Sequence, residues 1–277
     1  MTPEQFTLER KYLKNVTLRT LAWYGHSFKA FEGAIGNKAE IVTRISELRN
    51  RGVKPISINC YLRCINAYFR WLHQEHNREL IKIPRLKEEQ TILATLTPEH
   101  ISRLLQFRPK GRNLQRAYTL TLLLLDTGLR ISEALGLTWD RVDLDNLVLR
   151  VLGKGGKHRV VPISFECRKL LYRWRQQTGT SELVFPTRNG IGTRQRNVGR
   201  DMKLLGQRAG ITGVRFSPHT MRHTFAVSYL RAGGNVLYLQ RILGHSSLEM
   251  TNRYTRSLGI DDLTAVHSKL SLLSRRG

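Results

Sequence analysis

Cysteine is scarce in this chain, and what there is builds no frame. Cys60, Cys64 and Cys167 are the only three in 277 residues. No Cys-x-x-Cys pair and no His–Cys cluster is present, so the sequence offers neither a disulfide scaffold nor a zinc site. Three unframed thiols fit a reducing compartment, where they serve as small buried apolar groups. Acid is scarce too, at 21 Asp and Glu against 46 Lys and Arg. No acidic cluster of metal-ligand type is visible; this weighs against a two-metal nuclease or transposase, and no cofactor is expected. Long apolar runs are missing. The longest, Leu122 to Leu125 with its flanks, is far too short to span a bilayer and reads as a buried core helix. The N-terminus has no basic-then-apolar signal region. The expectation is a soluble cytoplasmic protein with no membrane partner. Internal repeats and low-complexity tracts are also lacking.

What is abundant is positive charge. The formal net charge is +25 and the sequence pI about 10.8. Up to residue 90 there are 16 basic and 9 acidic residues, and beyond it 30 and 12, so both parts are basic. Charge spread over folded segments is the footprint of a polyanion binder, with nucleic acid favoured over a merely soluble or ribosomal-type basic protein. Apolar residues make up 40% of the chain, enough for a real core.

The length allows two ordinary domains. Residues 1 to 85 read as all-helical. Thr17 caps a helix with Leu18, Leu21, Trp23, Tyr24, Phe28 and Phe31 at helical spacing, ended by Gly33 and Gly36. A second helix runs from Lys38 to Arg49, and a third begins at Ser57. Most of the aromatic stripe reads as core; the neighbouring Lys29, Arg63 and Arg70 are candidates for phosphate contact. Residues 86 to 96 read as a linker. Thr97-Pro98-Glu99 then opens a second domain, 97 to 277, as cap, first-turn proline and first-turn acid. There the pattern predicts a buried helix over Tyr118 to Asp126, a helix over Leu129 to Leu137, and a hairpin. Its strands, Leu147 to Leu152 and His158 to Ile163, flank Gly153-Lys154-Gly155-Gly156-Lys157. The fold class is mainly α with a small β-hairpin or sheet in the second domain.

Several residue types in the second domain suit phosphate chemistry. Arg130 starts a helix after Gly128, with Glu133 one turn on to orient it; a guanidinium fork grips two phosphate oxygens at once. Alone, that pair would be a surface ion pair. Lys154 at the glycine-flanked tip could protonate a departing oxygen, with Lys157 as competitor. Ser217-Pro218-His219 opens a helix running to Leu230. His219 and Arg222, three apart, are read onto one face at its positive end, while His223 is read as pointing elsewhere. His245 follows Gly244 in a turn, and Ser247 is read as the cap of the helix carrying Tyr254. A tyrosine hydroxyl is a poor nucleophile unless its target is polarised and its proton managed. Arg, Lys, His-x-x-Arg, His and Tyr in this order supply both needs.

In combination, four segments resemble the tyrosine recombinase and phage integrase family, of the simple Xer-like type. They are Thr127-Gly128-Leu129-Arg130-Ile131-Ser132-Glu133, Gly153-Lys154-Gly155-Gly156-Lys157, Pro218-His219-Thr220-Met221-Arg222-His223, and Leu243-Gly244-His245-Ser246 followed by Tyr254. The resemblance covers nearly the whole length. It implies that Arg130 and Arg222 clamp a scissile phosphate and that Lys154 is the general acid. It further implies that His219 assists proton transfer, His245 supports the phosphate and Tyr254 is the nucleophile. The choice of Lys154 over Lys157 rests on the family's first lysine in Gly-Lys-Gly-x-Lys. The implied architecture is a two-domain DNA clamp, with a SAM-like core-DNA-binding domain over 1 to 85. The implied activity is cutting and rejoining of DNA through a 3′-phosphotyrosine, by a homo-tetramer on two inverted-repeat core sites, in integration, excision or resolution, at the nucleoid. A non-catalytic regulator and a monomeric topoisomerase-like enzyme stay as alternatives.

Residues 194 to 209 predict a helix with Val198, Met202 and Leu205 inward and Arg194, Arg196, Arg200 and Lys203 outward. It is suited to a major groove or to phosphates alone. A tail helix over 261 to 273 carries Leu263, Val266, Leu270 and Leu273 at helical spacing.

Overall fold

The structure is a computed structural model, and it describes residues 2–88, 93–153, 156, 158–187 and 189–271. The chain divides into two compact units, Met1–Thr91 and Ile92–Gly277.

The first unit holds four helices: α1 (Pro3–Tyr12), α2 (Leu18–Ala30), α3 (Lys38–Asn50) and α4 (Pro55–His76). Helix α1 escapes the periodicity reading because it buries one residue, Phe6. Its start is nevertheless encoded: Thr2 and Gln5 form a reciprocal capping box, with Pro3 in the first turn. Phe6 packs against Tyr24, Phe28, Tyr68 and Trp71. The Thr17 cap is present, its hydroxyl accepting from the Thr20 N–H. Leu18, assigned to the apolar face, instead stands 81% exposed. As the first residue of α2 it precedes the turn that meets the core. Helix α4 starts two residues before Ser57, at a first-turn proline. It carries most of the core: Ile58, Leu62, Ile65, Tyr68 and Phe69 are buried.

The expected linker is anchored at its start. Asn59 on α4 pairs with the backbone N–H and C=O of Leu86, at 2.8 and 2.9 Å. Asn66, two turns on, does the same for Ile83. Side-chain amides replace the strand partner that the extended backbone lacks. Residues 89–92 of the expected linker lie outside the described residues.

In the second unit, α6 (Arg112–Thr127) is the central helix, with Leu120, Leu123 and Leu124 fully buried. It packs on α8 (Phe165–Thr178), α9 (Gln195–Arg208) and α10 (Pro218–Arg231). Helix α5 (Pro98–Gln106) begins at the Thr97 cap. Helix α7 (Ile131–Leu135) is only five residues, shorter than the expected Leu129 to Leu137, because Arg130 is its extended N-cap and Gly136 its end. The hairpin strands β2 (Val148–Leu152) and β3 (His158–Pro162) pair antiparallel, Leu152 opposite His158. A two-residue strand, β1 (Val142–Asp143), adds a third, unanticipated edge to β2. Three helices close the unit: α11 (Val236–Leu243), α12 (Glu249–Thr255) and α13 (Ile260–Leu270). The cap of α12 is Leu248, with no side-chain cap bond, rather than Ser247. Helix α13 buries no residue, and Leu263 and Leu270 are 53% and 58% exposed. Its first turn is tied to α10 by Arg231 and Asp262, at 3.1 Å. Leu273 lies outside the described residues. Among the described residues no helix is long and apolar enough to cross a membrane.

Candidate active site

The site grows around the carboxyl end of α11. The last carbonyls of a helix have no intrahelical partner. Here the turn takes two: the Gly244 N–H bonds the Arg241 carbonyl and the His245 N–H that of Gln240. The next three carbonyls each receive an arginine. Arg159 Nε donates to Ile242 O at 2.8 Å, Arg222 Nη2 to Leu243 O at 2.8 Å, and Arg130 Nη2 to Gly244 O at 3.0 Å. The partial negative charge of a helix end favours cations at this position. Gly244 is required there. Its φ is 63°, and a Cβ would sit 3.0 Å from the Arg159 guanidinium.

Glu133 is the one carboxylate of the cluster. Its side chain is 5% exposed. Oε1 accepts from Arg130 Nη1 and Arg159 Nη1, both at 2.9 Å. Oε2 accepts from the Arg130 backbone N–H and Arg159 Nη2, both at 2.8 Å. Burial works to raise its pKa, but the Arg159 hydrogen bonds and the Arg130 N–H outweigh it and hold the carboxyl below its usual range. The expected orienting role of Glu133 toward Arg130 thus has a geometric basis, and Arg159, unremarked in the sequence, shares it.

Arg222 is 6% exposed. Its guanidinium also donates to the Gly128 carbonyl and lies 2.9 Å from His245 Nε2. Gly128, at φ 62°, approaches closely because a Cβ there would collide with Phe225 and Leu243. Burial first, then repulsion from Arg130, pulls Arg222 down to about 10, opposed by the Tyr254 phenol and Glu133. A guanidinium can only donate, so His245 Nε2 is the acceptor and Nδ1 carries the proton. That proton points to Thr251 Oγ1, 2.9 Å away. Burial, then Arg222 and Arg130, pushes His245 down to about 4, so the ring is neutral at pH 7.

Tyr254 is 2% exposed and packs with Ala226, Val227, Leu230, Leu239 and Leu243. Its ring lies on His245, centroids 6.1 Å apart and planes 9° from parallel. His223 sits on another side, at 5.6 Å. The reading of His223 as pointing elsewhere is therefore corrected. Four residues on from His219 it shares that residue's helix face, their rings 6.4 Å apart. Burial and then Arg253 push His223 down to about 4. His219 and Arg222 do not share surroundings: Arg222 is buried, and His219 is exposed at the first turn of α10. Lys154 and its competitor Lys157 lie outside the described residues.

The structure therefore brings together Arg130, Glu133, Arg222, His245 and Tyr254 from α7, α10, α12 and the end of α11. Two partners were missed. Thr251 leaves no sequence signal, since its role depends on where α12 lands. Arg159 leaves one: it alternates with buried Val161 on β3, whereas Val160 is 59% exposed. A charge on the inward register needs a partner. The arrangement offers guanidinium N–H groups to a phosphate-sized anion, with Arg130 the more open of the pair, its side chain 33% exposed.

The candidate DNA-contact residues are all on the surface: Lys29 on α2, Arg63 and Arg70 on α4, Arg194 at the start of α9, and Arg196, Arg200 and Lys203 along it. Val198, Met202 and Leu205 face inward as expected.

Comparison with known proteins gives one consistent result. Residues 94–259 match the family model described as the phage integrase family. Tyrosine recombinase XerA of Thermococcus kodakarensis is 31% identical over 94% of this chain and 90% of its own length. Tyrosine recombinase XerC of Xanthomonas campestris pv. campestris is 31% identical over 91% of this chain and 83% of its own. Among solved structures, the Tn1549 transposon integrase in complex with transposon right end DNA aligns with a TM-score of 0.79 at 23% identity, covering 98% of this chain and 99% of that one. XerH recombinase bound to palindromic difH, a post-cleavage complex, aligns with a TM-score of 0.71 at 19% identity, over 99% and 85%.

Proposed function

This chain belongs to the phage integrase family of tyrosine recombinases, enzymes of site-specific DNA breakage and rejoining, and we propose that it works through a 3′-phosphotyrosine made by Tyr254. Arg130 and Arg222 clamp the scissile phosphate, and His245 supports it. The Tyr254 oxygen attacks phosphorus. The P–O5′ bond breaks as the O–P bond to tyrosine forms. The departing 5′ oxygen takes a proton from Lys154, and His219 assists the transfer of the phenol proton. One phosphoester replaces another, so the bond energy is kept, and a 5′-hydroxyl of a second strand reseals the backbone without ATP. Fixed guanidinium groups stabilise the pentacoordinate charge without reorganising as it develops.

The observation that carries this reading is the convergence of Arg130, Arg222 and His245 on the end of α11, with the Tyr254 ring lying on His245. Burial of Tyr254 adds a step: α12 shifts to deliver the phenol when DNA seats. The shift uncovers Tyr254 and Thr251, 2% and 0% exposed here, so contacts made by the seated DNA offset the lost burial. The exposed basic residues of α2 and α4, in the domain over 1 to 85, and of α9, in the domain over 97 to 277, contact the duplex. The exposed apolar residues of α13 support assembly of a homo-tetramer on two inverted-repeat core sites, the tail docking on a neighbouring protomer. The biological setting is integration, excision or resolution at the nucleoid.

The test is a nicked suicide duplex, built on sites recovered by crosslinking the protein to DNA. A covalent protein–DNA adduct is expected, and Tyr254→Phe abolishes it. No adduct on any recovered site favours a DNA-binding regulator. Adduct and relaxation without synapsis favour a topoisomerase-like enzyme.

A further inference from the structure

We propose that Arg159 is a positioning residue of the phosphate clamp, holding Glu133 and the end of α11 so that Arg130 and Arg222 face the DNA phosphate. The inference rests on the function proposed above and adds a residue to it.

Arg159 donates through three of its N–H groups to two different structures. Two bonds, to Glu133 Oε1 and Oε2 at 2.9 and 2.8 Å, form a bidentate pair. The third, from Nε, reaches Ile242 O at 2.8 Å. Its side chain is 13% exposed and that of Glu133 5%, so the pair is shielded from solvent. Both partners lead to the clamp. Glu133 grips Arg130 at the guanidinium and at the backbone N–H. The carbonyls that follow Ile242, those of Leu243 and Gly244, hold Arg222 and Arg130. Arg159 thus braces both anchors from β3, a rigid paired strand with Val151 opposite. A planar fork suits this task and an ammonium does not, because one point charge cannot span two carboxylate oxygens and a carbonyl together. Without Arg159, Glu133 relaxes toward Arg130 and covers the N–H groups that a phosphate needs. Arg159 itself is engaged on three sides and is a support rather than a group that touches substrate.

The test uses the full chain on the nicked suicide duplex, reading the single-turnover rate of adduct formation and the duplex affinity in parallel. Arg159→Met slows adduct formation by roughly 100-fold, as expected of a misplaced reacting group. Its affinity stays within about threefold, because phosphate contacts across the whole duplex set it. Arg159→Lys recovers part of the rate, since charge returns without the fork. The double variant Arg159→Met/Glu133→Gln is about as slow as Arg159→Met alone, the sign of one shared path. Three results overturn the inference: a wild-type rate in Arg159→Met, rate and affinity falling together in both Met and Lys variants, or losses that multiply in the double variant. If Arg159→Met does not fold, Arg159→Lys decides: slowed cleavage with intact affinity supports the inference, and a wild-type rate overturns it. Absence of any adduct from the wild-type chain is a different failure. It removes the proposed function itself and takes this inference with it.

Discussion

A guanidinium 6% exposed survives burial only if its donors are occupied, and Arg222 gives them to two carbonyls and a histidine nitrogen. Burial sets the state of the two histidines beside it, with Arg222 next in effect at His245 and Arg253 next at His223. Both His245 and His223 are held at about 4, against 6.5 for the free side chain. The denatured chain therefore takes up protons between about pH 6.5 and 4 that the native chain refuses. Stability from these two groups is full above 6.5 and declines as pH falls to 4. A melting series over that window is expected to show a falling midpoint, with a shallower fall in His223→Gln. A flat midpoint from 6.5 to 4 contradicts the assignment. At this scale much was legible. Arg130, Glu133, Arg222, His245 and Tyr254 stood out by residue type and spacing, and the fold gathers them. His223 stands i, i+4 to His219, and that relation puts it on the same helix face rather than elsewhere. Thr251 was invisible because a lone threonine says nothing until the helix bearing it is placed.

Among the elements, α9 and its support carry the clearest energetic statement. Arg116 on α6 is buried and donates to Asp201 on α9 at 3.1 Å and to Pro186 O at 3.1 Å. Asp201 is itself 8% exposed. Arg116→Met strands that carboxylate, leaving Arg200 at 3.5 Å from the solvent side. Losing one partner of a buried pair costs about 3–5 kcal/mol. Denaturant unfolding is expected to show a loss of that order; a loss of under about 1 kcal/mol would show that the pair is dispensable. The inward face of α9 was readable because Val198, Met202 and Leu205 recur at helical spacing. So were the Thr17 and Thr97 caps and the antiparallel pairing of β2 with β3. Helix α1 was not, because one buried phenylalanine makes no period. Strand β1 was not, because two residues hold no alternation. The buried Arg116–Asp201 pair, 85 positions apart in sequence, was beyond any local pattern.

At the scale of the whole molecule the outstanding feature is charge, +25 over 277 residues, together with the last described helix, α13, which leaves Ile260, Leu263 and Leu270 exposed. The function proposed above assigns the charge to DNA binding and the exposed helix to assembly. Truncation after residue 259 is expected to spare binding of a single DNA site in a mobility assay while abolishing recombination between two sites. Surviving recombination would show that α13 has no part in assembly.

Everything proposed for the reaction converges on one oxygen atom. The most direct measurement is mass spectrometry of the nuclease-digested adduct from the nicked suicide duplex. The account predicts a peptide spanning Arg253 to Arg256 with a nucleotide remnant on Tyr254, joined through a 3′ phosphate. A remnant on any other residue, or a 5′ linkage, would contradict it.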